Sequence, residues 1–296
     1  MILVFGSINI DVVVPVPHLP LPGETVLGGD YALLPGGKGA NQALAACRAG
    51  AAVAMAGAVG GDAFAAIALE NLRRDGVDLA LVRRVARPTG CAAIMVGSAG
   101  EGRGENLIAV ASGANHAADA AAVPDALLGP DATLICQMEV PATQNWALVR
   151  RARAAGGRTI LNLAPAAAIE RSILAELDIL VANEGEAAAL GGDPAGLARR
   201  LRLALVVTRG AAGSIAYLAD GGRIGTPALA VTPVDTTGAG DTFVGVLAAA
   251  LDDAQALPEA LRRASAAAGL ACLAAGAQSA MPDRAAIAAA AARLPR

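Results

Sequence analysis

Along this chain, short apolar runs bounded by Gly, Pro, Asn or Asp take turns with longer Ala-rich runs, a rhythm that predicts alternating strands and helices. Residues 2–5 predict a first strand, 42–49 a helix, 53–59 a strand, and 62–75 a helix closed by Gly76. From Ala132 the order returns: a strand at ATLICQM, a helix from Pro141, strands at TILNL and DILVA, a helix from Glu184 and a strand at LALVVT. Residues 244–251 are apolar on nearly every side and predict a buried helix, and a terminal helix runs from Ala285. Two stretches break the rhythm. Residues 11–31 hold an alternating VVVPVP run and PGETVLGGDY, with prolines unsuited to a central strand. Residues 91–96 and 106–110 read as strands joined by a glycine-rich hairpin at 97–105. These four segments predict a small sheet outside the main one, covering a pocket, and the fold class expected is α/β.

Strand ends carry the polar residues. Asn9 and Asp11 lie just past the first strand, and Glu139, Asn162, Asn183 and Thr208 stand at four later ends. In a parallel sheet such ends converge on one edge, where open α/β proteins bind ligands; capping of separate helices would need four coincidences.

Composition narrows the classes. The 296 residues suffice for one large domain, or a domain with an appendage. The chain is 55% hydrophobic, but its apolar runs are interrupted by Gly, Arg or Asp and none reads as a membrane span. The start, MILVFGSINID, lacks the basic region and long apolar core of a signal peptide, so the expectation is a soluble, cytoplasmic protein. Cys47, Cys91, Cys136 and Cys272 are scattered without a CxxC pair, and read as small core residues. A net charge of -3 with 2% aromatic residues argues against a nucleic-acid partner.

The densest chemistry lies in VDTTGAGDTF, residues 234–243. The helix behind it starts near Gly240; its first N–H groups lack partners and carry partial positive charge, and Gly238, Ala239 and Gly240 leave room for an anion. Asp241 at the mouth could take a proton from a hydroxyl while those amides hold a phosphoryl group, or could simply cap the helix. Lys38, within PGGKGAN, is the one lysine among 23 basic residues, as if this position needs a compact, flexible charge. Gly39 follows Lys38, so no GxxxxGK[ST] phosphate loop exists, and no GxGxxG joins the first strand and helix. His18 and His116 form no metal motif.

Taken together and in order, GSINID, PGETV, PGGKGANQA, SGAN, QME, NEGEA, VTRGAAG and VDTTGAGDTF resemble the ribokinase-like (PfkB) carbohydrate kinases over the whole chain. The resemblance implies a three-layer α/β/α domain with a mostly parallel sheet, here residues 1–11, 32–89 and 112–296. A β lid, residues 12–31 and 90–111, would double as a homodimer clasp. It implies ATP as co-substrate and a sugar as acceptor. GSINID with GGKGAN matches best the branch that phosphorylates D-ribose at the 5-hydroxyl. A sister kinase for another sugar or a nucleoside, and a catalytically silent sensor, are the other readings.

By the same resemblance, Asn9, Asp11, Gly37, Lys38, Asn41 and Glu139 would hold sugar hydroxyls. Asp241 would be the base, and Gly238, Ala239 and Gly240 the anion hole. Asn183 and Glu186 match the NxxE motif that organises Mg²⁺. Thr208, Gly210 and Gly213 match the nucleotide loop, with Ser265 near the adenine. Asp235 and the carbonyls of Thr237, Ala271, Ala274 and Gly276 would bind K⁺. This chain departs from the family pattern at residues 162–165, which read NLAP rather than NPAP. It departs also at Ala280, where a serine often completes the cation site, and in the length of the 97–105 hairpin.

Overall fold

The computed structural model describes residues 1–98 and 105–295, so most of the 97–105 hairpin lies outside the described residues. Chain order is β1 (Ile2–Phe5), β2 (Asn9–Val16), β3 (Ala32–Gly36), α1 (Lys38–Arg48), β4 (Val53–Gly60), α2 (Ala63–Ala68), α3 (Glu70–Arg74) and β5 (Asp78–Val85). It continues through β6 (Gly90–Gly97), β7 (Asn106–Ala111), β8 (Thr133–Gln137), α4 (Ala142–Ala154), β9 (Arg158–Asn162), α5 (Arg171–Leu174), β10 (Ile179–Asn183) and α6 (Glu184–Ala189). The last elements are α7 (Pro194–Leu201), β11 (Ala204–Thr208), β12 (Ser214–Tyr217), β13 (Arg223–Thr226), α8 (Ala239–Asp252), α9 (Leu257–Ala271) and α10 (Arg284–Ala291).

Nine strands form the main sheet in the order β13-β12-β11-β10-β9-β8-β1-β4-β5. Seven are parallel, and β12 and β13 extend one edge antiparallel. β1 is buried along its whole length, and its side chains divide by the period of two. Ile2 and Val4 join the core shared with α1, α8 and α9, while Leu3 and Phe5 join the core shared with α4 and α7. Helices on both faces make the three layers expected of this α/β class. β1 pairs with β4 on one side and β8 on the other, so the sheet is wound outward in both directions from it. Connections diverge at such a switch point, and a crevice opens there.

The second sheet, β3-β2-β6-β7, is the expected small one. Its limits differ from the expected ones: residues 22–31, expected to supply an edge strand, form none, and Asn9–Val16 and Ala32–Gly36 belong to the sheet instead, because β2 pairs with β3 from Asn9↔Gly36 onward and with β6 from Asn9↔Gly90. The helix expected at 62–75 is broken at Leu69 into α2 and α3.

Candidate active site

The residues expected to hold the sugar gather where β1 meets α1. A Cβ on Gly39 would lie 2.6 Å from the Ser7 nitrogen, and one on Gly37, whose φ is +89°, would lie 2.7 Å from the Asn9 nitrogen. Only glycine permits this approach. The result brings the start of α1 against the Ser7–Asn9 bend. Ser7 Oγ donates to Glu139 Oε2 at 2.6 Å, and the Lys38 amide donates to the same oxygen at 3.1 Å. Asn115 Nδ2 donates to Asn9 Oδ1 at 2.6 Å while its own Oδ1 accepts from the Ile8 amide. Asn9, Glu139, Asn115, His116 and Met138 line a cavity of about 240 Å³. The carboxylate of Asp11, on β2, makes no hydrogen bond among the described residues. Burial first, then the carboxylates of Glu139 and Asp241, push its pKa up to about 6 against the pull of Lys38.

The expected anion hole lies at the start of α8. Gly238 caps it in the left-handed region at φ +75°, where a Cβ would strike Ala277. The Ala239 amide donates to the Thr236 carbonyl at 3.2 Å, a partner supplied by the turn itself. Of the three expected anion-hole donors, Gly238 and Gly240 therefore remain open, and the Asp241 amide joins them as a group with no partner among the described residues. Gly240 faces empty space, with nothing within 4 Å of a Cβ built there. Asp241 is only 7% exposed, and both its oxygens are held: Oδ2 by Asn41 Nδ2 at 2.9 Å and Oδ1 by Gln42 Nε2 at 2.8 Å. It lines a cavity of about 160 Å³ with Lys38, Asn183, Glu186, Gly238 and Gly240. Burial disfavours the Lys38 ammonium, yet Asp241, Glu139, Glu186 and Asp11 together outweigh it and raise its pKa. Lys38 thus lines the cavity of Asp241, while its amide is bonded to Glu139.

The residues expected to hold the nucleotide line an adjoining cavity of about 490 Å³ that shares Thr208 and Gly240 with the cleft of Asp241. Gly210, Gly213, Leu229, Phe243 and Ser265 line it, and its largely apolar walls suit a flat heterocycle. Ser265 Oγ donates to the Pro227 carbonyl at 2.6 Å, so this hydroxyl anchors the wall rather than projecting freely. Asn183 and Glu186 form a capping box: Asn183 Oδ1 accepts from the Glu186 amide, and Glu186 Oε2 from the Asn183 amide, both at 2.8 Å. Beyond the cap, Glu186 Oε1 carries no hydrogen bond among the described residues, so this acceptor is available to a ligand in the cleft. Among the described residues no three His, Cys, Asp or Glu side chains gather to hold a metal, so Mg²⁺ here would complete its shell with phosphate and water.

Asp235 Oδ1 accepts from the Thr237 amide and hydroxyl, and Oδ2 from the Gly276 amide at 2.8 Å. These bonds tie the anion-hole loop to the loop after α9 and hold the Asp235 carboxylate below its ordinary range, although burial opposes them. The carbonyls of Thr237, Ala271, Ala274 and Gly276 carry no hydrogen bond among the described residues, so each is available as an acceptor. Ser7, Gln42 and Asn115 were given no role from sequence, although they lie within the GSINID, PGGKGANQA and SGAN matches.

The chain is similar to known proteins over nearly its whole length. A profile described as pfkB family carbohydrate kinase matches residues 1–284. The chain is 36% identical to a ribokinase of Bacillus subtilis, covering 96% of each, and 35% identical to one of Haemophilus influenzae, covering 95% of each. Its fold superposes on a Thermotoga maritima ribokinase with a TM-score of 0.90 at 31% identity. An Arabidopsis thaliana ribokinase complexed with ribose and ATP gives 0.88 at 32%, and both comparisons cover 98% of each chain.

Proposed function

Because the chain belongs to the pfkB family of carbohydrate kinases, phosphotransferases that act on an alcohol group, we propose that it transfers the γ-phosphoryl group of ATP to the 5-hydroxyl of D-ribose. The observation that carries this reading is Asp241, held at both oxygens beside open helix-start amides, in a cleft that shares Thr208 and Gly240 with the larger cavity beside it. The likeness to a relative bound to ribose and ATP supports the choice of acceptor.

In this mechanism Asn9, Asp11, Gly37, Lys38, Asn41 and Glu139 orient the sugar, with carboxylates accepting from vicinal hydroxyls and amides donating to them. Asp241 takes the proton of the attacking hydroxyl as the new O–P bond forms and the bond to the bridging oxygen of ADP breaks. The amides of Gly238 and Gly240 hold the charge on the transferring group, with the turn at Ala239 shaping the loop. Asn183 and Glu186 are the residues to hold Mg²⁺, which when bound neutralises the triphosphate. Thr208, Gly210, Gly213 and Ser265 wall the nucleotide. Asp235 with the carbonyls of Thr237, Ala271, Ala274 and Gly276 is the K⁺ site that orders the anion-hole loop. The small sheet is the lid and the clasp of a homodimer, and use of ATP fits a cytoplasmic enzyme.

A panel of ribose, fructose, deoxyribose and adenosine with ATP, its product located by phosphorus NMR, tests the reading. Ribose is expected to give the highest kcat/KM, with the phosphate on the 5-oxygen. Another substrate ranking first would transfer the assignment to a sister kinase, and no turnover with any would favour a binding protein without catalysis.

A further inference from the structure

Asp241 sits at the end of a line of buried amides that all point the same way. Gln42 Nε2 donates to Asp241 Oδ1 at 2.8 Å, and Gln137 Nε2 donates to Gln42 Oε1 at 2.8 Å. Gln42 and Gln137 are both 0% exposed, and neither lines the cavities of the cleft. A carboxylate that accepts only forces the order: Gln42 must turn its N–H toward Asp241, which turns its oxygen toward Gln137, which must then donate. Gln137 Oε1 is left buried without a partner, over Gly6, where a Cβ would lie 1.9 Å from it. Leaving an acceptor unpaired is unfavourable, and the arrangement is tolerated here at a side chain that lines none of these cavities. On the other side Gln278 Nε2 donates to Asn41 Oδ1 at 3.1 Å, and Asn41 donates to Asp241 Oδ2. The carboxylate is thus clamped from two directions by amides whose orientation it dictates.

We infer that Gln42, oriented by Gln137, is a positioning residue that fixes the Asp241 carboxylate for proton removal. Asn41 is also proposed to touch the sugar, so its loss would act in two ways; Gln42 acts through Asp241 alone. The inference rests on the proposed function in taking Asp241 as the base. Its test is a double-mutant cycle in kcat with the best acceptor of the sugar panel, using Gln42→Met, Asp241→Asn and the pair. Gln42→Met keeps the size of the side chain, and is expected to lower kcat about 10- to 100-fold, the scale of a misplaced catalytic group, with the KM values for sugar and ATP within about twofold. In the Asp241→Asn background the same change is expected to alter kcat less than about threefold, because there is no longer a base to position. A Gln42→Met protein with kcat within about twofold of the parent overturns the inference, as does an undiminished loss in the Asp241→Asn background. Ribose failing while another sugar turns over defeats the choice of substrate and leaves this cycle to run with that sugar. No turnover by the parent chain with any sugar overturns both.

Discussion

Asp11 brings a third carboxylate into a site that already holds Glu139 and Asp241, and this carboxylate has no hydrogen bond of its own among the described residues. Its pKa of about 6 lies above the ordinary 3.8, so the folded chain takes up a proton that the unfolded chain would release. The stability this proton confers is full below the unfolded value and is lost as pH rises through about 6. Sugar binding runs the other way, because hydroxyls donate to the ionised form. The KM for ribose is therefore expected to rise below pH 6, approaching about tenfold per pH unit, while Asp11→Asn gives a higher KM with a flatter profile. Steady-state kinetics between pH 5 and 8 checks this; a parent KM that stays flat to pH 5 would remove Asp11 from the sugar contacts.

At the scale of elements, the site depends on how closely α1 crosses α8. A Cβ on Gly245 would lie 2.5 Å from the Gln42 carbonyl and 2.8 Å from the Ala45 Cβ, so the helices touch through bare backbone. That contact brings Asn41 and Gln42 within reach of Asp241, four residues before Gly245. Gly245→Ala is expected to cost about 1–3 kcal/mol of stability by overpacking and to lower kcat by more than it raises either KM. Denaturant unfolding and kinetics on the same preparation test the pair of effects, and an unchanged kcat would detach the crossing from the chemistry. Much of this framework was legible in sequence: β1, β4, β8 to β11 and α8 stood out as apolar runs of the right length. β5 was not, since DLALVRRV carries two arginines on an edge strand, and β12 and β13 are only four residues each. α9 is rich in alanine, which gives little contrast between its faces. The Gly238–Asp241 cluster was readable because glycines and an acid at a helix start have a direct physical meaning. Gln42 and Gln137 were not, because an amide reveals its partner only once two helices and a strand are packed together.

At the scale of the molecule, the two sheets divide the work. The large sheet supplies Glu139, Asn183 and Thr208 from its strand ends, and the small one supplies Asn9 and Asp11. The small sheet also leaves an edge, β7, exposed throughout, with Leu107, Ile108 and Val110 each about half exposed. Apolar edges of this kind favour pairing with another chain. Sedimentation of the parent protein is expected to give about twice the 29.1 kDa chain mass, and Ile108→Arg to shift it toward one; a monomeric parent would contradict the clasp. The account as a whole turns on a single carboxylate acting as the base. The most direct test is Asp241→Asn, with ribose binding measured by calorimetry and phosphoryl transfer by single-turnover kinetics. Binding is expected to stay within about threefold, because Asn41 and the sugar contacts persist, while the transfer rate falls at least about 100-fold. A variant that binds ribose and still transfers within about tenfold of the parent rate would contradict the assignment.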